Sequence, residues 1–295
     1  MSETEWLVDA HHHVWDLARR PQPWLDEPGH ELIRRTFGPS DLRASATRAI
    51  AGRRLGTTVV VQCVPSLPET RDLLALADVD PLIGGVVGWA DLTSPAIGDV
   101  LDELRAGPGG RHLKSVRHLV QGERDPEWLQ QASVERGLRT VGDCGLAYDV
   151  LIRPHQLPQA IRLAEQLPDL PLVLDHAGKP PVVGGDLASW ERNLRALARH
   201  PQVTCKVSGL VTEADHVTWT TVDIRPVWDT LLSAFGLERL MFGSDWPVCV
   251  LAGGWNRWAS TVEELLEGCS AHETAAVLAD TATAFYALAP TSCET

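Results

Sequence analysis

The stretch "WLVDAHHHVWD" at residues 6–16 shows the pattern that the rest of the chain repeats. An apolar run at 6–8 leads into polar residues and then into a long loop rich in proline, tryptophan and charge. Seven more short apolar or β-branched runs follow, and each gives way to polar or Gly/Pro residues. The predicted strands are 6–11, 57–63, 82–89, 113–119, 146–152, 170–176, 202–208 and 239–245.

Amphipathic segments separate these runs, with apolar residues spaced three and four apart as in a helix. Parallel strands need a helical crossover to return the chain, so eight alternations predict an α/β fold of the (β/α)8 TIM-barrel type. We expect a single domain over residues 1–295. The predicted helical segments are 41–56, 125–142, 154–167, 186–200 and, after the last strand, 256–270 and 280–290, one closing the barrel and one packing across it.

The composition excludes several classes of function. A formal net charge of −13 opposes the neutralisation of phosphates that nucleic-acid binding requires. The N-terminal residues lack a signal-peptide pattern, and the apolar runs are too short to span a membrane. The six cysteines include no CxxC pair. We therefore expect a cytoplasmic protein that acts on a small molecule and binds neither nucleic acid nor a membrane. The sequence leaves open whether the chain forms a homo-oligomer.

Polar residues at the predicted strand ends form the candidate site, because barrel enzymes carry their chemistry at the carboxyl ends of the strands. Side chains alternate along a strand, so His11 and His13 should face the barrel mouth while His12 packs away from it. The other candidates for catalysis are Arg117, His176 and Asp245. Further candidates, assigned to substrate binding, are Gln62, Trp89, His118, His155, Lys179 and Trp246.

Several longer strings occur in an order that is specific when they are taken together: "DAHHHVWD", "VRHLVQGERDPEWL", "VLDHAGKP", "KVSGL" and "FGSDWPVC". With them, the chain resembles the amidohydrolase superfamily over almost its whole length. More narrowly, it resembles the branch of sugar-lactone hydrolases, and more distantly the pyrone dicarboxylate lactonases. The resemblance implies a (β/α)8 barrel that opens a cyclic ester to its hydroxy acid, with Asp245 accepting a proton from water.

One departure from the wider superfamily concerns metal binding. The fourth run, "LKSVRHLV", has no lysine at its carboxyl end to bridge two ions, because Lys114 lies at the opposite end. A binuclear centre is therefore not expected. Two alternatives stay open: one divalent ion such as zinc on His11, His13 and Asp245, or no metal, with His176 and Arg117 polarising the carbonyl.

The expected substrate is a neutral sugar lactone. A dicarboxylate would need clustered arginines, and only Arg117 and Arg153 lie near strand ends. Exposed indole rings could stack on the C–H face of a sugar, and the tryptophans expected at the mouth are Trp24, Trp89, Trp219, Trp246 and Trp255. The alternatives are a metal-dependent decarboxylase of the same superfamily, acting on an aromatic or unsaturated carboxylic acid, and a non-catalytic sugar-binding barrel.

Overall fold

A computed structural model describes residues 6–289 and shows eight parallel strands in one sheet, in the order β1 to β8. Every predicted strand is present, with ends that shift by a few residues. The strands are β1 (Trp6–His12), β2 (Arg54–Val61), β3 (Ile83–Gly88), β4 (Leu113–His118), β5 (Ala147–Val150), β6 (Leu172–Leu174), β7 (Val203–Val207) and β8 (Leu240–Phe242).

The sheet closes into a barrel through residues just beyond β8. The backbone N–H of Asp245 donates to His11 O at 2.8 Å, and that of His13 donates to Trp246 O at 2.6 Å. These bonds continue the parallel ladder after β8 has ended. They also fix Asp245 directly beside the histidines of β1, so closing the barrel assembles the mouth.

Helices cover the outside of the barrel and return the chain between strands, as the alternating pattern predicts. Their apolar faces and the outer faces of the strands form one large core. The α-helices are α1 (Pro39–Ser45), α2 (Leu67–Val79), α3 (Ile97–Ala106), α4 (Ala132–Asp143), α5 (Leu157–Gln166), α6 (Leu187–Leu197), α7 (Thr221–Phe235), α8 (Gly254–Leu265), α9 (Ala271–Ala275) and α10 (Thr281–Phe285).

The prediction of one helix over 41–56 is wrong, because α1 ends at Ser45. The chain then turns at Ala51 and Gly52, which both have positive φ, and Ile50 pairs with Arg53 across this turn. The turn buries the Ile50 side chain and allows β2 to begin at Arg54. The apolar spacing that resembled a helix therefore comes from a short helix followed by a tight turn.

The amino-terminal end of the barrel is filled by the last elements of the chain. Interior side chains such as Val8 and Val173 form a second core with Ala282, Tyr286 and Leu288. This arrangement matches the expectation that one C-terminal helix packs across the barrel. Because apolar side chains fill this end, the polar groups of the interior that lie at strand ends belong to the opposite end of the barrel.

The extent of the domain and the lengths of its helices are two further features of the fold. That residues 1–295 form one domain stays a prediction, and residues 1–5 and 290–295 lie outside the described residues. Among residues 6–289, no helix has the length and apolar character needed to cross a membrane.

Candidate active site

Four predicted side chains meet at the carboxyl ends of β1, β6 and β8. The Nε2 atoms of His11 and His13 lie 3.2 Å apart, and Asp245 Oδ1 lies 3.8 Å from the first and 3.4 Å from the second. His176 Nε2 is 4.0 Å from the same oxygen. His12 points away, and its Nε2 is 2.9 Å from Thr58 Oγ1. The alternation along β1 thus directs two histidines into the mouth and one into the packing around it.

The backbone at two of these residues adopts the left-handed conformation that side chains other than glycine rarely take. The φ angle is 52° at His176 and 56° at Asp245. Such a conformation costs on the order of 1–3 kcal/mol and is found at functional sites whose surroundings enforce it. Gly209 is one such neighbour, because a Cβ there would lie 2.5 Å from His176 Nδ1. The "KVSGL" string therefore supplies the space into which His176 fits.

Burial and charge determine the protonation of these groups. Burial favours the neutral form of Asp245, but the neighbouring His176 and His11 outweigh it, so the pKa of this carboxyl falls below its usual range. Burial lowers the pKa of His176 to about 4 and places that of His11 well below its ordinary value. At neutral pH the mouth therefore holds an ionised carboxylate beside the neutral imidazoles of His11 and His176.

A buried ionic network lies beneath the histidines, and the sequence analysis missed it. Lys206 of β7 is fully buried, and its Nζ lies 2.5 Å from Asp149 Oδ2, 3.0 Å from Asp175 Oδ1 and 3.1 Å from His11 Nδ1. Tyr286 Oη donates to Asp149 Oδ2 at 2.9 Å. Burial favours the neutral form of Asp175, yet attraction to Lys206 and His11 holds the pKa of this carboxyl well below its usual range.

The sequence contains a signal for this network. An aspartate or a lysine interrupts each of the apolar runs "AYDV", "LVLD" and "TCKV". A charge inside a buried strand needs a partner, and opposite charges on neighbouring strands can supply one.

Arg117 and Gln62 lie behind the histidines and have little contact with the mouth. Arg117 Nη1 lies 3.0 Å from Asp175 Oδ2 and 3.5 Å from His11 Nε2, and Nη2 donates to Gln62 O. The Arg117 side chain is only 3% exposed. Gln62 is fully buried, and its Nε2 donates to Arg117 O at 3.2 Å. Arg117 of β4 thus contacts the ionic network through Asp175, and Gln62, which follows β2, is hydrogen-bonded to Arg117.

Four predicted residues lie beyond the central group of histidines and Asp245. Trp89 Nε1 donates to His118 Nδ1 at 3.1 Å, and the His118 ring stacks on Trp128 at 4.0 Å. Lys179 pairs with Glu213 at 2.8 Å, which links the loops after β6 and β7. His155 is exposed in a separate surface groove lined by residues of α5 and α6.

The expectation that tryptophans at the mouth stack on a sugar is corrected for three of them. Trp246, Trp219 and Trp255 are buried, so they lack the open ring face that stacking requires. For Trp246 the reason is the long first loop, which packs Phe37 edge-on against the indole ring at a centroid distance of 5.2 Å. Trp24 and Trp89 keep part of their surface exposed.

Two groups of side chains could hold a metal ion by position: His11, His13 and Asp245, and His11, Asp175 and His176. The first group fits a single ion. Zinc sites commonly combine imidazoles with a carboxylate at bonds of about 2.0–2.2 Å, which corresponds to ligand separations near those observed. The second group does not fit, because Asp175 already faces Lys206 and Arg117. A dication there would lie beside two positive side chains.

Comparison with known proteins agrees with this geometry. The model of the amidohydrolase family matches residues 8–288. The L-fucono-1,5-lactonase of Burkholderia multivorans is 38% identical over 295 residues, covering 95% of this chain and 96% of the relative. The L-fucono-1,5-lactonase of Burkholderia ambifaria is 36% identical, covering 85% and 86%. A crystal structure of an amidohydrolase from Burkholderia multivorans with bound Zn superposes with a TM-score of 0.88, at 37% identity, covering 96% and 100%. With a family match over nearly its whole length and relatives of this similarity, the chain belongs to the amidohydrolase family.

Proposed function

We propose that this chain hydrolyses a neutral sugar lactone to its aldonic acid, with L-fucono-1,5-lactone as the first substrate to test. The observation that carries the proposal is the ionised carboxylate of Asp245, held at the barrel mouth with three histidine rings within 4.0 Å of its Oδ1. Two similar relatives, at 38% and 36% identity, are L-fucono-1,5-lactonases, which supports this substrate class over the decarboxylase alternative.

Asp245 acts as the general base in the proposed reaction. Its carboxylate takes a proton from water, and the oxygen of that water bonds to the lactone carbonyl carbon. General-base assistance of this kind contributes typically about 10²–10⁴-fold. The bond from that carbon to the ring oxygen then breaks, and the ring oxygen receives the proton from Asp245. The product is the open-chain acid, and Asp245 returns to its ionised form.

A carboxylate with a low pKa is a weak base, so the carbonyl must be polarised as well. His176 is suited to this role. Ser208 Oγ lies 2.9 Å from its Nδ1, and a hydroxyl that donates there leaves the ring proton on Nε2, toward Asp245. The 4.0 Å between that Nε2 and Asp245 Oδ1 is too long for a direct bond but can accommodate a shared oxygen.

We propose zinc as the ion that His11, His13 and Asp245 would hold. When bound, it would polarise the carbonyl as a Lewis acid and ease deprotonation of water. His13 is oriented for such a role, because its Nδ1 lies 2.7 Å from Val61 O. A carbonyl oxygen can only accept, so the ring proton is on Nδ1 and the Nε2 lone pair faces the mouth.

The cations around the site are already paired with carboxylates, which favours a neutral substrate. Arg117 is paired with Asp175, and Lys179 is paired with Glu213. A dicarboxylate would have to break these pairs, whereas a polyhydroxylated lactone needs only hydrogen bonds.

The test is acid release from a panel of L- and D-sugar 1,4- and 1,5-lactones, followed with a pH indicator before and after chelation. The Asp245→Asn variant should lose at least about 100-fold in kcat/KM, within the range expected for a general base. Asp215→Asn changes an exposed aspartate of the loop after β7 and should leave the rate unchanged. If no lactone releases acid, or if Asp245→Asn keeps the full rate, the proposal is wrong.

A further inference from the structure

The ring of His11 is held between a cation on one side and a second imidazole on the other. Its Nδ1 lies 3.1 Å from Lys206 Nζ, and its Nε2 lies 3.2 Å from His13 Nε2. The side chains of His11 and Lys206 are both fully buried. Water cannot compensate a mismatched donor there, so the hydrogen bonds within the protein decide where the ring proton resides.

An ammonium group has three donors and no acceptor. The Nζ of Lys206 forms ion pairs with the carboxylates of Asp149 and Asp175. Its contact with His11 Nδ1 is therefore a hydrogen bond only if that nitrogen has a lone pair. The neutral ring then carries its proton on Nε2.

The His13 side of the ring leads to the same assignment. His13 Nδ1 donates to Val61 O, so the Nε2 of His13 is an acceptor and can receive a proton from His11 Nε2. The opposite tautomer would satisfy only two longer contacts, Asp175 Oδ1 at 3.3 Å from His11 Nδ1 and Arg117 Nη1 at 3.5 Å from His11 Nε2. In that tautomer two donors, His11 Nδ1–H and the Lys206 ammonium, would face each other at 3.1 Å. Two lone pairs, on the Nε2 atoms of His11 and His13, would face each other at 3.2 Å.

We propose that Lys206 is a positioning residue that keeps the ring proton of His11 on Nε2 and thereby opposes metal binding at His11, His13 and Asp245. A metal ligand must present a bare nitrogen, so an ion that binds His11 through Nε2 must displace the proton that Lys206 keeps there. The ion must also tolerate a fixed positive charge behind the ring. This inference goes beyond the proposed lactonase reaction and is independent of the substrate.

The first test is ¹⁵N NMR of the imidazole rings in metal-free protein, with the His11 signals identified by their loss in His11→Asn. In the natural chain we expect the one-bond proton coupling on Nε2, with Nδ1 bare. In Lys206→Met, Asp175 becomes the remaining partner of Nδ1, and the proton should move there. A proton on Nδ1 in the natural chain, or no change in Lys206→Met, would overturn the assignment.

The second test is zinc affinity, measured by competition with a chromophoric chelator. Lys206→Met should bind zinc at least about tenfold more tightly, the scale on which groups contacting a metal ligand alter affinity. Lys114 lies in β4, and its Nζ is 3.2 Å from Ala287 O. The control variant Lys114→Met should leave the zinc affinity unchanged. If zinc binds Lys206→Met no more tightly than the natural chain, Lys206 does not oppose the ion.

Removing the cation leaves two buried carboxylates facing each other, and Lys206→Met could fail to fold for that reason. The double variant Lys206→Met/Asp149→Asn removes one of those charges and keeps the shape of the side chain at position 149. Like Lys206→Met, the double variant should carry the His11 ring proton on Nδ1. It should also bind zinc at least about tenfold more tightly than the natural chain. The opposite result in this variant overturns the proposal just as it would in the single one.

Discussion

Gly209 offers the sharpest test of the site geometry, because its missing side chain makes room for two catalytic candidates. The φ angle at this residue is +61°, and a Cβ added there would lie 2.5 Å from His176 Nδ1, 2.8 Å from His176 Cγ and 3.1 Å from Asp245 Oδ2. Ordinary contacts begin at 3.4 Å. In Gly209→Ala, the imidazole must therefore retreat by about 0.9 Å, or the backbone must move by a similar amount.

Two costs follow from this clash. A residue with a Cβ in the left-handed conformation loses roughly 1–2 kcal/mol, and overpacking adds about 1–3 kcal/mol to the loss of unfolding free energy. The catalytic loss is separate, because a misplacement of about 1 Å can cost on the order of 100-fold in rate. We expect Gly209→Ala to fold with reduced stability and to lose about 100-fold in kcat/KM.

Gly145, which follows α4, provides the control. Its φ is +69°, close to that of Gly209, but nothing lies within 4 Å of an added Cβ. Gly145→Ala should thus lose only the backbone contribution to stability and keep its activity. Both variants and the natural chain would be compared by lactone hydrolysis and by urea unfolding. Activity of Gly209→Ala within about threefold of that of Gly145→Ala would show that His176 and Asp245 do not depend on this space.

Two further predictions concern the histidines. His12→Ala should lose about 1–3 kcal/mol of unfolding free energy, since it removes a buried hydrogen bond and leaves Thr58 Oγ1 only its bond to Leu82 O. His13→Ala should lose turnover with little change in stability, and equal losses of activity at normal folding would contradict this. Burial places the pKa of His12 at about 3 and that of His176 at about 4, against 6.5 for an ordinary imidazole. The unfolded chain therefore binds protons first, and stability should fall as the pH drops from 6.5 toward 4, by up to about 1.4 kcal/mol per pH unit for each histidine. Asp9, whose burial raises its pKa to about 6, offsets part of this effect. Urea unfolding between pH 4.5 and 7 should show that the free energy of unfolding depends less steeply on pH in His12→Gln than in the natural chain. An unchanged dependence would exclude His12 as one of its sources.

Much of the site could be predicted from the sequence, because a barrel constrains where strand ends lie. His11 and His13, His176, and Asp245 belong to the ends of three different apolar runs, and strand-end geometry brings them together. The two-residue period of a strand distinguishes His12 from its neighbours. Local periodicity and a single architectural rule therefore sufficed for these positions.

Loops and pairings across the barrel could not be predicted in the same way. The burial of Trp246 depends on where the first loop places Phe37, and no local pattern encodes that contact. The partners of Lys206 lie on β1, on β5 and just after β6, and their distances follow from barrel closure and interior packing. The prediction of a helix over 41–56 is wrong for a different reason. Ile50 is buried because the chain turns after it, and this turn depends on the tertiary structure.

The contact between Tyr286 and Asp149 also bears on the order of folding. Tyr286 follows all eight strands in the chain, yet its hydroxyl completes the hydrogen bonds around a carboxylate of β5. Until this residue docks, water can reach Asp149 and Lys206 through the open end of the barrel. Docking removes that water and turns a hydrated ion pair into a dry one, which strengthens its electrostatics. The site therefore acquires its final electrostatic character only when the last part of the fold is in place.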